Sequence, residues 1–159
     1  MQVLLDVTDL VEFLQRQESA SGVQRVVAEV VPRLMGERGS GEAVVLDRSR
    51  GGFVLLDEAE RRVLIDEGAR TTTSRTREDV AAIATEMLAR ARSATPLVID
   101  ESTCLVFLGA LWINDALMMA ARLAHAQGAS IVSLLYDLTP VMEEGHTAAV
   151  NRLFERYLN

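Results

Sequence analysis

The chain has no lysine, one cysteine, two histidines and few aromatic residues, which make up 4% of the sequence. All 16 basic residues are therefore arginine, and the 23 acidic residues give a net charge of -7. This acidic balance argues against a chain that wraps nucleic acid. The single cysteine, Cys104, excludes an internal disulfide and favours a reducing cytoplasm, and its apolar neighbours predict a small buried hydrophobic side chain.

Several further absences narrow the class of protein. No apolar run approaches the ~20 residues of a membrane span, and no positively charged leader precedes the first apolar residues, so we expect a cytoplasmic protein. The histidines, His125 and His146, lie on different predicted elements without ligand spacing, so no metal is expected. Neither a Gly-x-Gly-x-x-Gly nor a Walker A pattern occurs, which argues against dinucleotide-binding and nucleotide-triphosphatase classes.

Strand-like and helix-like segments alternate along the chain. At 159 residues with 49% hydrophobic content, the sequence predicts one domain over residues 1–159. Strands are predicted at Gln2–Val7, Glu42–Asp47, Thr103–Leu108 and Ile131–Tyr136, the last as a buried parallel strand. A hairpin is predicted from Phe53–Leu56 and Arg62–Ile65. This order predicts an α/β fold, a Rossmann-like, mostly parallel sheet with helices on both faces and an inserted hairpin.

Local signals predict where the helices begin and end. Thr8 and Asp9 are expected to cap a short first helix, and Ser21 with Gln24 fits a capping box for the second, in which Pro32 predicts a kink or late break. The segment Thr76–Asp79 is typical of a helix start, and Gly128 is typical of a helix end. A final apolar-faced helix follows the last strand, so we expect an incomplete domain with an exposed sheet edge.

The second helix start is the first candidate site. Free N–H groups and the helix dipole suit a phosphate, Gly22 allows close backbone approach, and Arg25 adds a full positive charge. The alternative is an ordinary capped helix with a surface arginine.

The loop after the last strand is the second candidate site. Asp137 and His146 are candidate catalytic residues, since an acid at a strand end can act as a base or accept sugar hydroxyls and an imidazole titrates near neutrality. Thr139 adds a hydroxyl, and Trp112, after another strand, can stack on a sugar face. The alternatives are a loop cap for Asp137, a solvated helix start for His146 and core packing for Trp112.

Four segments together resemble the amino-terminal half of bacterial family-4-like glycosyltransferases. They are LLDVTDL at Leu4–Leu10, SGVQRVV at Ser21–Val27, FLGALW at Phe107–Trp112 and LYDLTPV at Leu135–Val141. Their order and spacing match from Leu4 to about Leu158. The resemblance implies the amino-terminal domain of a GT-B enzyme in surface polysaccharide synthesis, moving a sugar from a nucleotide-sugar donor to a glycan or lipid-linked acceptor, with no other cofactor.

The resemblance also implies roles for single residues. Gly22, Gln24 and Arg25 would face the donor phosphates, while Asp137, Trp112 and Thr139 would face the acceptor. The family's donor-side half has no counterpart in this chain, so a missing carboxyl-terminal half or a second copy is an expected partner. Peripheral membrane association is compatible with a lipid-linked acceptor. The isolated chain is expected to show no transferase turnover.

Two other readings stay open. One is a noncatalytic α/β binding or interaction module. The other is a flavodoxin-like receiver or small-ligand domain, of which the absence of lysine argues against a standard receiver.

Overall fold

A computed structural model describes residues 1–16, 22–35, 41–68, 76–111 and 114–134. The strands are β1 (Gln2–Asp6), β2 (Gly41–Asp47), β3 (Gly52–Leu55), β4 (Thr103–Phe107) and β5 (Ser130–Ser133). The helices are α1 (Thr8–Arg16), α2 (Gly22–Met35), α3 (Glu58–Gly68), α4 (Arg77–Ser93) and α5 (Asp115–Ala126).

The five strands form one sheet in the order β3-β2-β1-β4-β5. β1 pairs parallel with both β2 and β4, and β4 pairs parallel with β5, while β3 runs antiparallel to β2. Leu4 stands opposite Glu42 on one side and Leu105 on the other, so β1 is fully paired at the centre of the sheet. The predicted α/β fold with a mostly parallel sheet is confirmed.

The side chains of alternating strand residues belong to two separate hydrophobic cores, one on each face of the sheet. On one face, residues such as Leu5 and Val45 pack with apolar side chains of α1, α2, α3 and α4. On the other face, Leu4 and Phe107 pack against α5 and the segment around Leu97. Because successive strand side chains point to opposite faces, this alternation places helices on both sides of the sheet, as predicted.

The predicted hairpin of Phe53–Leu56 and Arg62–Ile65 is wrong in its second arm. The first arm is β3, but its antiparallel partner is β2, and the second arm lies inside α3. The acidic turn is in fact a helix start. Asp57 Oδ1 accepts from the Glu60 backbone N–H at 2.9 Å, and Glu60 Oε2 accepts from the Asp57 N–H at 2.8 Å. These reciprocal bonds form a capping box, which favours a helix over a turn.

The predicted burial of the last strand is also wrong. Within the described residues β5 is an edge strand, paired only with β4, and its residues alternate between exposed and half-buried. Val132 exposes 49% of its surface. Its parallel direction was predicted correctly.

The helix signals at Thr76 and Gly128 are confirmed, while the kink predicted at Pro32 stays a prediction. The Thr76 hydroxyl accepts from the Asp79 N–H and completes a capping box at the start of α4. Asn114 caps α5, and Gly128, with φ +100°, follows its end in a conformation that favours glycine. Pro32 lies inside α2 near its end at Met35. No helix among the described residues is long and apolar enough to cross a membrane.

Candidate functional site

The order of the strands reverses between β1 and β4: the chain continues from β1 to its neighbour β2 on one side, and from β4 to its neighbour β5 on the other. The helix that follows β1 packs on one face, whereas α5, which follows β4, packs on the other. The two strands are parallel neighbours, so their carboxyl ends meet at one edge. In open α/β sheets, ligands bind in the crevice that this arrangement opens. The residues just after Asp6 and Phe107 therefore form the candidate site.

Asp6 and Thr8 tie the end of β1 to β2. The Thr8 hydroxyl donates to Asp6 Oδ1 at 2.6 Å and accepts from the Leu46 backbone N–H at 2.8 Å. The Thr8 N–H also donates to Asp6 Oδ1, at 3.3 Å. Thr8 was predicted to cap α1, but it lies within the helix and its side chain links two strands. Both polar side chains are buried, so this network holds the carboxyl end of β1 against β2 beside the crevice.

The environment of Asp6 opposes its ionisation. Asp6 is 3% exposed, and burial raises its pKa from 3.8 to about 7, although the two Thr8 hydrogen bonds act in the opposite direction. The nearby acids Asp9 and Glu12 raise it further. A carboxyl with a pKa near neutrality at the end of a strand is typical of functional sites.

Asp9 joins three segments around the crevice. It lies in the first turn of α1, and its Oδ2 accepts from Gln24 Nε2 of α2 at 3.0 Å. Its carboxylate also accepts a backbone hydrogen bond from Ala110, in the connection after β4. A Cβ at Gly109 would lie 3.0 Å from Asp9 Cβ, so glycine permits this close approach.

Asp9 remains half-buried, so part of its carboxylate reaches the surface. Burial raises the pKa of Asp9 above its usual range, while the hydrogen bond from Gln24 lowers it. A half-buried carboxylate beside a carboxamide can accept hydrogen bonds from ligand hydroxyls, and a raised pKa makes it a better base near neutral pH.

The predicted phosphate-binding residues separate in the structure. Gln24 reaches the crevice through its bond to Asp9. Gly22 and Arg25 are exposed, and a Cβ at Gly22 would meet nothing within 4 Å, so the described packing does not itself require glycine there. Successive helix residues point about 100° apart, so Arg25 does not share the direction of Gln24.

The other predicted site residues, Trp112, Asp137, Thr139 and His146, lie outside the described residues, as does Ser21 of the predicted capping box. Their roles stay predictions. In the described ranges, no group of three or more His, Cys, Asp or Glu side chains is placed to hold a metal ion.

Sequence reasoning missed Asp9 as a site residue. It was interpreted only as a helix cap, because its partners Gln24 and Ala110 are distant in the sequence. The available signal was the density of polar residues at the end of β1, where Asp6 is the last residue of the strand and Thr8 and Asp9 follow it.

The sheet order, the parallel pairing and the crevice between β1 and β4 define a Rossmann-like α/β domain. Comparisons with protein-family models, with curated proteins and with solved structures found no match. The resemblance to family-4-like glycosyltransferases therefore stays a prediction from the sequence motifs.

Proposed function

We propose that the chain is the acceptor-side domain of a GT-B glycosyltransferase that transfers a sugar from a nucleotide-sugar donor to a glycan or lipid-linked acceptor in the cytoplasm. The observation that carries this proposal is the Asp9 junction, where one half-buried carboxylate holds α1, α2 and the connection after β4 around the crevice. Three of the four motifs behind the resemblance meet there, since Asp9 belongs to the first, Gln24 to the second and Ala110 to the third.

The chemistry of the crevice suits a polyhydroxylated ligand. Carboxylate and carboxamide groups offer several acceptors and donors that a sugar hydroxyl can engage, and their mutual hydrogen bond fixes their positions before the ligand arrives. Asp9 is proposed as a positioning residue for the crevice. The resemblance also implies that Arg25 stabilises the charge of the diphosphate leaving group, a role that Arg25 would fill from the exposed side of α2 and not from beside Gln24.

Transfer requires donor and acceptor to be held in register. We propose that the donor is held mainly by a second domain or a second copy, facing this crevice. Substantial turnover by the chain alone in a radiolabelled-sugar transfer assay would contradict this division of roles.

Substitutions at the junction are expected to weaken sugar binding. Ligand-observed NMR with UDP-glucose, GDP-mannose and oligosaccharide acceptors measures binding to the chain. We expect Asp9→Asn and Gln24→Met each to reduce the affinity for the best ligand roughly tenfold, because one polar contact to a charged group is worth about that factor. Both variants keep the size of the side chain, so the packing of α1 on α2 is retained.

The matched control is Glu86→Gln, which removes a negative charge from an exposed position on α4. It is expected to leave the affinity unchanged. An equal loss of affinity in this control would favour the alternative of a noncatalytic α/β interaction module. The same conclusion would follow if no nucleotide sugar and no glycan bound to the chain.

A further inference from the structure

A cavity of about 330 Å³ lies between α1, the carboxyl end of β2 and α4. Three arginines line it: Arg16 at the end of α1, Arg48 directly after β2 and Arg92 near the end of α4. Arginine side chains from three separate elements thus border one hollow, although the chain as a whole carries a net charge of -7. The cavity is therefore a locally positive region on a chain whose net charge is negative.

The carboxylates beside the cavity do not balance the arginines. Asp47 is 1% exposed, and its carboxylate is occupied by the Ser49 N–H at 3.0 Å, the Ser49 hydroxyl at 2.7 Å and Arg50. Its charge is therefore neutralised by Arg50, which is not among the lining residues. Glu12 is the other lining carboxylate among the described residues, and it pairs with Arg48 and Arg16.

Arg48 is held in place before any ligand binds. Its Nη2 lies 2.6 Å and its Nε 2.7 Å from Glu12 Oε1, and its Nη1 donates to Asn114 Oδ1 at 3.2 Å. A guanidinium carries five N–H groups, so these contacts orient Arg48 and leave further donors for a ligand. Its side chain is 46% exposed, so those donors are accessible.

Arg16 and Arg92 offer their donors from the neighbouring helices. Arg16 Nη2 lies 3.5 Å from Glu12 Oε2, and the Arg16 side chain is 57% exposed. Arg92 is exposed and makes no ion pair within the described part of the chain. Both side chains can turn toward an anion without breaking a buried contact.

We propose that this cavity binds the phosphate group of a small phosphorylated molecule. Three guanidinium groups and one carboxylate leave a charge of about +2, which matches the roughly -2 of a phosphate monoester at neutral pH. The planar fork of arginine also suits bidentate contacts to phosphate oxygens. The volume lies at the lower end of the ~300–1,000 Å³ range of ligand pockets, so the molecule is small. The inference is independent of the proposed glycosyl transfer.

Isothermal titration calorimetry with ribose 5-phosphate, inorganic phosphate and ribose tests the proposal on the whole chain. Ribose 5-phosphate is expected to bind and ribose is not. Arg92→Gln is expected to weaken binding about tenfold, because one charge-assisted contact is lost. Glu12→Gln is expected to strengthen binding several-fold, because it removes the carboxylate that competes for Arg48 and Arg16.

Arg77→Gln is the matched control, since it makes the same charge change at the first residue of α4, about 22 Å along the helix from Arg92. Its effect is expected to stay within twofold. Equal losses in Arg77→Gln and Arg92→Gln, weaker binding in Glu12→Gln, or equal binding of ribose would each overturn the proposal. Inorganic phosphate that binds as tightly as the ester would support a site that recognises the phosphate alone.

Discussion

Replacing Asp6 with asparagine is expected to remove a pH-dependent loss of stability. Burial raises the pKa of Asp6 from 3.8 to about 7 in the folded chain. The unfolded chain therefore releases this proton at lower pH than the folded chain does, and the folded state binds more protons between about pH 4 and pH 7. The contribution of Asp6 to the free energy of unfolding is highest below this window and falls as the pH rises through it.

The expected difference is about 3 kcal/mol between pH 5 and pH 8, since one pKa unit corresponds to about 1.4 kcal/mol. As the pH rises from 5 to 8, the free energy of unfolding of the asparagine variant increases by this amount relative to that of the native sequence. Its amide hydrogens need new acceptors, which costs about 1–3 kcal/mol at every pH, so the change with pH is the informative quantity. Urea unfolding at both pH values measures it.

Asp100→Asn is the control for this prediction. Hydrogen bonds from Ser102 lower the pKa of the exposed Asp100, so its ionisation is complete in both states above about pH 5. The stability difference of this control is expected to stay constant from pH 5 to pH 8. The same constancy in Asp6→Asn would show that the folded chain already carries a charged Asp6 at pH 5, and the prediction would be wrong.

The architecture was predictable because local signals agreed with one another. Apolar runs marked β1, β2 and β4, and the spacing of Val80, Ala84, Met87 and Ala91 marked the buried face of α4. The capping signal at Thr76 and the glycine after α5 placed two helix ends. These features depend on neighbours within a few residues, so the sequence displays them directly.

The second arm of the predicted hairpin failed because two local signals conflicted. Val63 and Leu64 suit a strand, while Asp57 and Glu60 suit a helix start. In the structure the capping box of Asp57 and Glu60 begins a helix, and Arg90 reaches the buried Glu60 from α4. That contact joins residues thirty positions apart. No pattern along the chain displays it.

The candidate site could not be predicted in full either, because it also depends on contacts between residues that are distant in the sequence. The polar ending of β1 was visible, but the Asp9 junction needs α2 and the connection after β4 to meet it. The arginine cavity gathers one side chain from each of three elements, and their spacing in the sequence carries no motif. Topology creates both sites, so they become visible only when the strand order is known.

Arg90→Leu is expected to destabilise the fold by about 3 kcal/mol. Arg90 Nε donates to Glu60 Oε1 at 2.7 Å, its Nη2 pairs with Glu60 Oε2, and the same nitrogen donates to the Leu55 carbonyl at 3.0 Å. The contacts join α4, α3 and the end of β3. Removing the guanidinium leaves the carboxylate of Glu60, 8% exposed, without its cation. Breaking a buried pair costs about 3–5 kcal/mol, and the 36% exposure of the Arg90 side chain favours the lower end.

The second substitution Glu60→Gln is expected to recover part of this loss, since it removes the charge that Arg90→Leu leaves behind. The pair Arg62 and Glu58 on α3 is the internal control, because its side chains are 74% and 75% exposed and lie 3.3 Å apart. Arg62→Leu is expected to cost less than about 1 kcal/mol, as exposed ion pairs do. Double-mutant cycles by urea unfolding compare the two couplings. Equal coupling in both pairs would contradict the prediction, since it would mean that burial of Glu60 adds nothing to the attachment of α3.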